Sequence, residues 1–271
     1  MPQAPPSPDL RAAESLLAFW REAGVDACYE DLPVDRTFRP PAPPKPAPMA
    51  STAPRAGGQD AAPGVAAAVV EARALAAAAQ DLEALKAAIA AFEGCPLKTQ
   101  GARQAVFSRG RPDAPVLVVG EGPGAEEDLQ GAPFVGRAGQ LLDRMLEAAG
   151  LHDRVFITNT VFWRPPGNRT PTLAEQATCA PFLERAIHLV KPRLLLLVGG
   201  ASAKSMLKRE EGILSLRGRW FEWRSEDEGV VIPALPTLHP AFLLRQPAAK
   251  KKAWGDLLTL AERLDRPERP T

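Results

Sequence analysis

The segment from residue 120 to residue 142 constrains the fold of this chain more than any other. It reads GEGPGAEEDLQGAPFVGRAGQLL, follows an apolar strand pattern at 116–119, and runs directly into helical periodicity. Its glycines, its carboxylates and the ring of Phe134 therefore lie between a strand and a helix. Loops of this kind carry binding and catalytic groups because the sheet beneath holds them rigidly. The segment predicts a polar pocket at the carboxyl edge of a sheet.

The surrounding sequence alternates between strand and helix patterns. Such alternation is typical of parallel strands joined by right-handed crossovers, so we predict an α/β fold, a three-layer α/β/α sandwich with a central four-stranded parallel sheet. Because Pro233 and Pro236 lie in the last predicted strand, we place that strand at a sheet edge. The predicted strands are 116–119, 155–158, 194–198 and 230–238; the predicted helices are 139–149, 172–190, one from near 201 and one over about 248–264.

The amino-terminal part of the chain has a different organisation. Leu10, Leu17 and Trp20 share one helical stripe, so residues 1–37 are predicted to form a helical extension. Residues 38–64 are rich in proline and alanine and are predicted to be a disordered linker. An alanine-rich stretch at 65–92, which we predict to be one helix, leads into the main domain at 65–271.

Composition excludes several classes of protein. With 271 residues, 45% of them apolar, the chain is large enough for a sizeable core, yet no run approaches the roughly 18 apolar residues that span a bilayer. The start, MPQAPPSPDL, has neither a basic nor an apolar region, so we expect no signal peptide. Three cysteines give no disulfide framework, so we expect a cytoplasmic protein. The net charge of +1 gives no general indication of nucleic-acid binding.

Polar groups follow each of the four predicted strands where the strand ends. Glu121 follows the first strand, Asn159 the second, the glycine-rich turn at 199–202 the third, and His239 the fourth. Each of these residues alone has an ordinary structural explanation, such as a cap or a turn. Because the carboxyl ends of parallel strands share one edge, however, we expect the four to surround a single crevice with the composition of an active site.

Four sequence blocks carry a resemblance to a known family. They read GEGPG-x-x-ED, G-x-PFVG-x-AG-x-LL, N-x-x-x-x-RPPGNR-x-P and HPA-x-LLR, at 120–128, 131–142, 159–171 and 239–245. In this order and spacing they resemble the family 4 uracil-DNA glycosylases, over about residues 92–264. The resemblance implies that residues 65–271 form a catalytic domain that hydrolyses the N-glycosidic bond of deoxyuridine in DNA, leaving an abasic site for base excision repair.

The resemblance also implies roles for individual residues. Phe134 would stack on a uracil flipped out of the DNA, and Asn159, with the loop at Gly122, would bind it. His239 would stabilise the charge that develops on uracil O2. Glu121 and Glu127 match the two active-site carboxylates, one of which would orient or deprotonate water. The residues expected to contact DNA are Leu243 and Leu244, as a wedge, and Arg245, at a phosphate.

Family 4 enzymes usually hold an iron–sulfur cluster on four cysteines, but the chain departs from that pattern. The four positions read Phe92, Cys95, Trp163 and Cys179. Because two thiolates cannot complete a four-cysteine site, we expect no metal and no cofactor. We interpret Cys95 and Cys179 as small core residues, and Phe92 and Trp163 as filling the volume that a cluster would occupy.

Two other interpretations stay open at this point. Gly120, Gly122 and Gly124 follow a strand, as in Rossmann-type nucleotide-binding enzymes, although their G-x-G-x-G spacing differs from the usual fingerprint. A non-catalytic DNA- or protein-binding module on the same fold is the second. We expect a monomer that acts on uracil-containing DNA and not on membranes, with the amino-terminal helix docking on the catalytic domain or on a partner protein.

Overall fold

The computed structural model describes residues 63–226 and 229–266. The predicted amino-terminal extension and nearly all of the predicted linker lie outside these residues. Six strands form one mixed sheet in the order β1-β3-β2-β4-β6-β5. The strands are β1 (Ser108–Gly110), β2 (Val116–Gly120), β3 (Val155–Asn159), β4 (Leu194–Val198), β5 (Phe221–Arg224) and β6 (Val231–Thr237).

Helices lie between the strands, as the alternating pattern predicts. They are α1 (Pro63–Ala78), α2 (Leu82–Ala91), α3 (Ala125–Gln130), α4 (Arg137–Ala148), α5 (Leu173–Val190), α6 (Gly200–Leu207), α7 (Ile213–Leu216), α8 (Pro240–Arg245) and α9 (Lys250–Asp265). Short 3-10 turns occur at Pro96–Thr99, His152–Arg154, Pro166–Asn168 and Pro247–Ala249. None of the helices in the described ranges has the length and apolar character needed to cross a membrane.

The four central strands confirm the predicted parallel sheet. β3, β2, β4 and β6 pair in parallel, and every residue of β2, β3 and β4 is buried. Alternate residues of β2 face opposite layers, since Leu117 and Val119 pack in one hydrophobic cluster and Val116 and Val118 in another. Burial on both faces explains why these strands read as continuous apolar runs.

The sheet extends beyond the predicted four strands, and the predicted edge position of the last strand is wrong. β1 and β5 add antiparallel edges next to β3 and β6, so β6 is paired on both sides. The sheet accommodates both prolines of β6. On the side to which its missing N–H would point, each proline is not paired with the neighbouring strand. Pairing with β4 begins after Pro233, at Ala234, and pairing with β5 ends before Pro236. The carbonyl of Pro236 instead accepts a hydrogen bond from the Gly218 N–H at 3.0 Å.

The predicted single helix over 65–92 is also wrong, because the chain breaks into α1 and α2. Asp81 begins α2 by accepting a hydrogen bond from the Ala84 N–H at 2.7 Å, which is a typical amino-terminal cap. Both helices pack against α5. The start of α5 is as predicted: the side chain of Thr172 and that of Glu175 cap each other's backbone N–H groups.

Candidate active site

A cavity of about 510 Å³ opens at the carboxyl ends of β2, β3 and β6. Glu121, Asn159 and His239 all contribute to its wall, so the structure brings three of the four predicted groups together. The fourth, the turn at the start of α6, is not in the wall. Gly199 (φ +96°) lies behind the imidazole, where a Cβ would come within 3.1 Å of the His239 Cβ. A larger cavity, about 720 Å³, lies at the amino ends of β4 and β6, away from this rim.

The amide of Asn159 is placed by the sheet itself. Asn159 ends β3 and pairs with Gly120 at the end of β2. Its side chain is buried, and its Oδ1 atom has no hydrogen-bond partner among the described residues. A buried acceptor without a partner costs free energy, so it marks a position where a ligand that donates a hydrogen bond is expected. Gly120 leaves room for this atom, because a Cβ there would lie 2.3 Å from Oδ1.

An aromatic ring forms the neighbouring wall. The ring of Phe134 is 5.8 Å from that of His239, with 31° between their planes, and the side chain is almost fully buried. Gly120 also leaves room for this ring, since a Cβ at that position would lie 2.6 Å from it. The backbone of Phe134 has φ +55°, which is rare for a bulky residue. A flat apolar surface therefore stands beside an unpaired amide oxygen.

The imidazole of His239 is held at the start of α8. Its Nδ1 accepts a hydrogen bond from the Ala241 N–H at 3.1 Å. Because Nδ1 is the acceptor, the proton of the neutral ring lies on Nε2. Burial, followed by the positive charge of Arg245, lowers the pKa of His239 from 6.5 to about 4, with Glu127 acting weakly in the opposite direction. The ring is therefore a neutral hydrogen-bond donor at neutral pH.

The two predicted carboxylates have different surroundings. Glu127 at the start of α3 accepts a hydrogen bond from the Gly124 N–H at 3.1 Å and another from the Gly136 N–H at 2.9 Å. It thereby ties the loop after β2 to the segment that follows Phe134. The carboxylate of Glu121 is partly exposed in the cavity wall and accepts no hydrogen bond from any residue in the described ranges. Of the two, Glu121 is the one free to meet a substrate or water.

The RPPGNR block and the two residues after it form another part of the wall, a role that was not predicted from the sequence. Asn168, Arg169 and Pro171 line the cavity. The Arg169 guanidinium donates hydrogen bonds of 2.6 and 2.8 Å to the two carboxylate oxygens of Glu175. This pairing lowers the pKa of Glu175 and fixes the loop to the start of α5. The sequence contained an indication of this contact, because the RPPGNR block lies shortly before the Thr172–Glu175 cap.

The structure separates the three residues expected to contact DNA. Leu244 is partly exposed, and Arg245 lies in the cavity wall. Leu243, in contrast, is completely buried and packs with Leu141, Leu238 and Ala253. The prediction that both leucines form a wedge is therefore corrected: Leu243 anchors α8 to the core, and Leu244 is the leucine at the surface.

The residues at the four cluster positions do not fit a four-cysteine iron–sulfur cluster. Cys95 and Cys179 are buried with their Sγ atoms 3.9 Å apart, while the rings of Phe92 and Trp163 are also buried, with centroids 6.4 Å apart, in the same hydrophobic cluster. The thiols pair with each other, which lowers the pKa of Cys95 to about 7, and burial raises that of Cys179. Within residues 63–226 and 229–266, no group of three or more His, Cys, Asp or Glu side chains is placed to hold a metal ion.

Comparisons with known proteins found one family model and several similar proteins. The family model described as "Uracil DNA glycosylase superfamily" matches residues 107–258. The chain is similar to the type-4 uracil-DNA glycosylase of Sulfurisphaera tokodaii, with 36% identity over 70% of this chain and 88% of the relative. It is 40% identical to the type-4 uracil-DNA glycosylase of Pyrobaculum aerophilum over 65% of this chain and 91% of the relative. A third relative so named, from Thermotoga maritima, is 39% identical over 56% of this chain and 77% of the relative.

Proposed function

We propose, from the premise that the chain belongs to the uracil DNA glycosylase superfamily, that it hydrolyses the N-glycosidic bond of deoxyuridine in DNA, releasing uracil and leaving an abasic site. The observation that carries the proposal is the cavity in which an unpaired Asn159 Oδ1, the Phe134 ring and the neutral His239 imidazole meet. Neither alternative is favoured, since the match to the superfamily includes the strands, the loops and the cavity together.

Asn159 supplies the selection for uracil. Its Oδ1 accepts from uracil N3–H, and its amide NH₂ donates to uracil O4. Cytosine presents an acceptor at N3 and a donor at its exocyclic nitrogen, which is the opposite pattern at both atoms. A cytosine in the cavity would leave polar groups buried and unpaired, so it is rejected strongly. The flipped base stacks on the Phe134 ring, and the backbone of the loop at Gly122 closes over it.

His239 stabilises the leaving group. Cleavage leaves negative charge on uracil, part of it on O2. The Nε2–H of His239 donates a hydrogen bond to that oxygen as the charge develops, and because the ring is neutral and buried, it needs no proton transfer or desolvation to do so. A donor fixed in advance in this way typically contributes on the order of 3 kcal/mol to stabilising a transition state.

The carboxylates divide the remaining work. Glu121 faces the cavity and either orients the attacking water or offsets the positive charge on the sugar. Glu127 holds the loop after β2 next to the segment after Phe134 through its two backbone hydrogen bonds. This division refines the expectation that either carboxylate activates water, since each oxygen of Glu127 already accepts a backbone hydrogen bond that fixes its position.

Contacts with DNA come from α8 and the start of α9. Leu244 enters the gap left by the extruded nucleotide, and Arg245 meets a backbone phosphate. Residues 250–252, three consecutive lysines, add attraction to the DNA backbone that weakens with salt. Together these contacts offset the cost of a few kcal/mol for flipping the base.

The protein functions without an iron–sulfur cluster in this proposal. The paired thiols and the rings of Phe92 and Trp163 stabilise by apolar burial the region where the family pattern has ligands. Anaerobically purified protein should contain no stoichiometric iron or acid-labile sulfide, and should lack the visible absorbance of such clusters. One cluster per chain would overturn this part of the proposal.

The activity itself is tested with labelled oligonucleotides carrying one uracil, as a single strand and opposite guanine or adenine. Treatment with the protein and then alkali should cleave the strand at the uracil and leave cytosine- and thymine-containing strands intact. Chromatography should detect free uracil in equal amount. Binding without release of uracil would instead support a non-catalytic module.

A further inference from the structure

The backbone of Phe134 has an unfavourable conformation that neighbouring groups must stabilise. A phenylalanine with φ +55° lies in the left-handed region, where its Cβ is crowded. Such a conformation persists only where the surrounding structure holds it. The ring that would stack on the flipped base thus depends on whatever fixes the Phe134 peptide group.

The guanidinium of Arg109 holds two successive carbonyl groups of this segment. Its Nε donates to the Pro133 oxygen at 2.7 Å, and its Nη2 donates to the Phe134 oxygen at 3.2 Å. Nη2 also pairs with Asp143 Oδ1 on α4 at 2.6 Å. Because a guanidinium is a rigid planar fork, these three contacts fix the direction of both carbonyls.

The elements that carry Arg109 connect it to the rest of the cavity. Arg109 lies in the edge strand β1, paired with Ile157 of β3, two residues before Asn159. On the other side, a Cβ at Gly139 would lie 1.7 Å from the Phe134 oxygen, so α4 packs directly against the same carbonyl. The Phe134 peptide is therefore confined between the backbone of α4 and the Arg109 guanidinium, in fixed relation to Asn159.

We propose that Arg109, paired with Asp143, is a positioning residue for uracil excision: by holding the Pro133 and Phe134 carbonyls it keeps the Phe134 ring as a fixed surface for the extruded base. The inference rests on the proposed function. Arg109 touches neither the base nor the reacting bond, so its effect passes through the ring. Removing the Arg109 contacts to the two carbonyls therefore lowers the excision rate only to the extent that the Phe134 ring contributes to that rate.

The experiment measures single-turnover excision of uracil opposite guanine by Arg109→Gln, Arg109→Lys and Asp143→Asn, each also combined with Phe134→Leu. Arg111→Gln is the matched control, because Arg111 forms an exposed ion pair with Asp113 just after the same strand. Thermal unfolding shows whether each variant folds, and Asp143→Asn removes only the ion pair, leaving both carbonyl contacts available.

We expect Arg109→Gln to lower the rate about tenfold in the unaltered protein, as expected for losing hydrogen bonds from a charged group, but less than twofold when Phe134 is leucine. Lysine should restore part of the rate, Asp143→Asn should lower it by less than Arg109→Gln does because both carbonyl contacts remain, and Arg111→Gln should leave it unchanged. An equal loss in both backgrounds, or no loss, would overturn the proposal while uracil excision by the unaltered protein still stands. Absence of excision by the unaltered protein would overturn the proposed function, and this inference with it.

Discussion

The backbone N–H of Ala241 donates a hydrogen bond to Nδ1 of His239 at 3.1 Å, which fixes the ring proton on Nε2. The bond is local, spanning two residues at the start of α8. Burial of the ring, followed by the positive charge of Arg245, lowers the pKa of His239 to about 4, so the ring is neutral near pH 7. The turn at the start of α8 thereby sets the tautomer of the group proposed to meet uracil O2, while burial and the charge of Arg245 keep that group neutral.

The pH dependence of excision follows from this arrangement. Since the pKa of His239 is lowered to about 4, the charged form appears only as the pH falls through that value. The single-turnover rate should show no inflection between pH 6 and 7, where an ordinary histidine titrates, and should fall toward pH 4. An inflection near pH 6.5 that disappears in His239→Gln would contradict the assignment.

Asn159→Ala should separate activity from stability. Removing the amide removes both contacts to uracil, so the excision rate should fall on the order of 10³-fold or more. The same change removes a buried acceptor that has no partner among the described residues, so the free energy of unfolding should rise by about 1 kcal/mol. Single-turnover assays and urea denaturation check the two halves. Near-normal release of uracil by this variant and by His239→Ala would remove the proposed site.

Gly120→Ala should damage the cavity without straining the backbone. The added Cβ would lie 2.3 Å from Asn159 Oδ1 and 2.6 Å from the Phe134 ring, so both must move. A displacement of about 1 Å in a catalytic group costs about 10²-fold in rate. Gly255→Ala is the control, because Gly255 lies in α9 with open space around it, and alanine there should raise stability by up to about 1 kcal/mol without changing the rate. Equal excision rates in Gly120→Ala and Gly255→Ala would contradict the prediction, because the added methyl group would then not disturb Asn159 or Phe134.

The site was more predictable from the sequence than the parts that support it. Glu121, Asn159 and His239 follow from topology, since parallel strands bring their carboxyl ends to one edge. Edge strands three or four residues long, such as β1, leave little periodicity in the sequence, so the role of Arg109 emerges only from the structure. The edge position predicted from the prolines of β6 was wrong for a related reason. A proline weakens a strand pair only where its missing N–H would have joined that pair, and this depends on where each pairing begins and ends.

The two leucines of α8 offer the clearest test of how this helix serves DNA and core at once. A short helix gives too few turns for its sequence to show which leucine faces inward, and the structure places Leu243 in the core and Leu244 at the surface. Leu243→Ala should therefore destabilise the protein by about 2–5 kcal/mol, as core truncations do.

Leu244→Ala should leave stability within about 0.5 kcal/mol of the unaltered protein, because it changes a partly exposed side chain. It should lower excision of uracil from duplex DNA more than from single strands, since only a duplex leaves a gap between stacked bases for the side chain to fill. Thermal unfolding and single-turnover rates on the two substrates check both leucine variants. An equal loss on single- and double-stranded DNA would contradict the wedge, because a side chain that replaces an extruded base has nothing to replace where no partner strand is present.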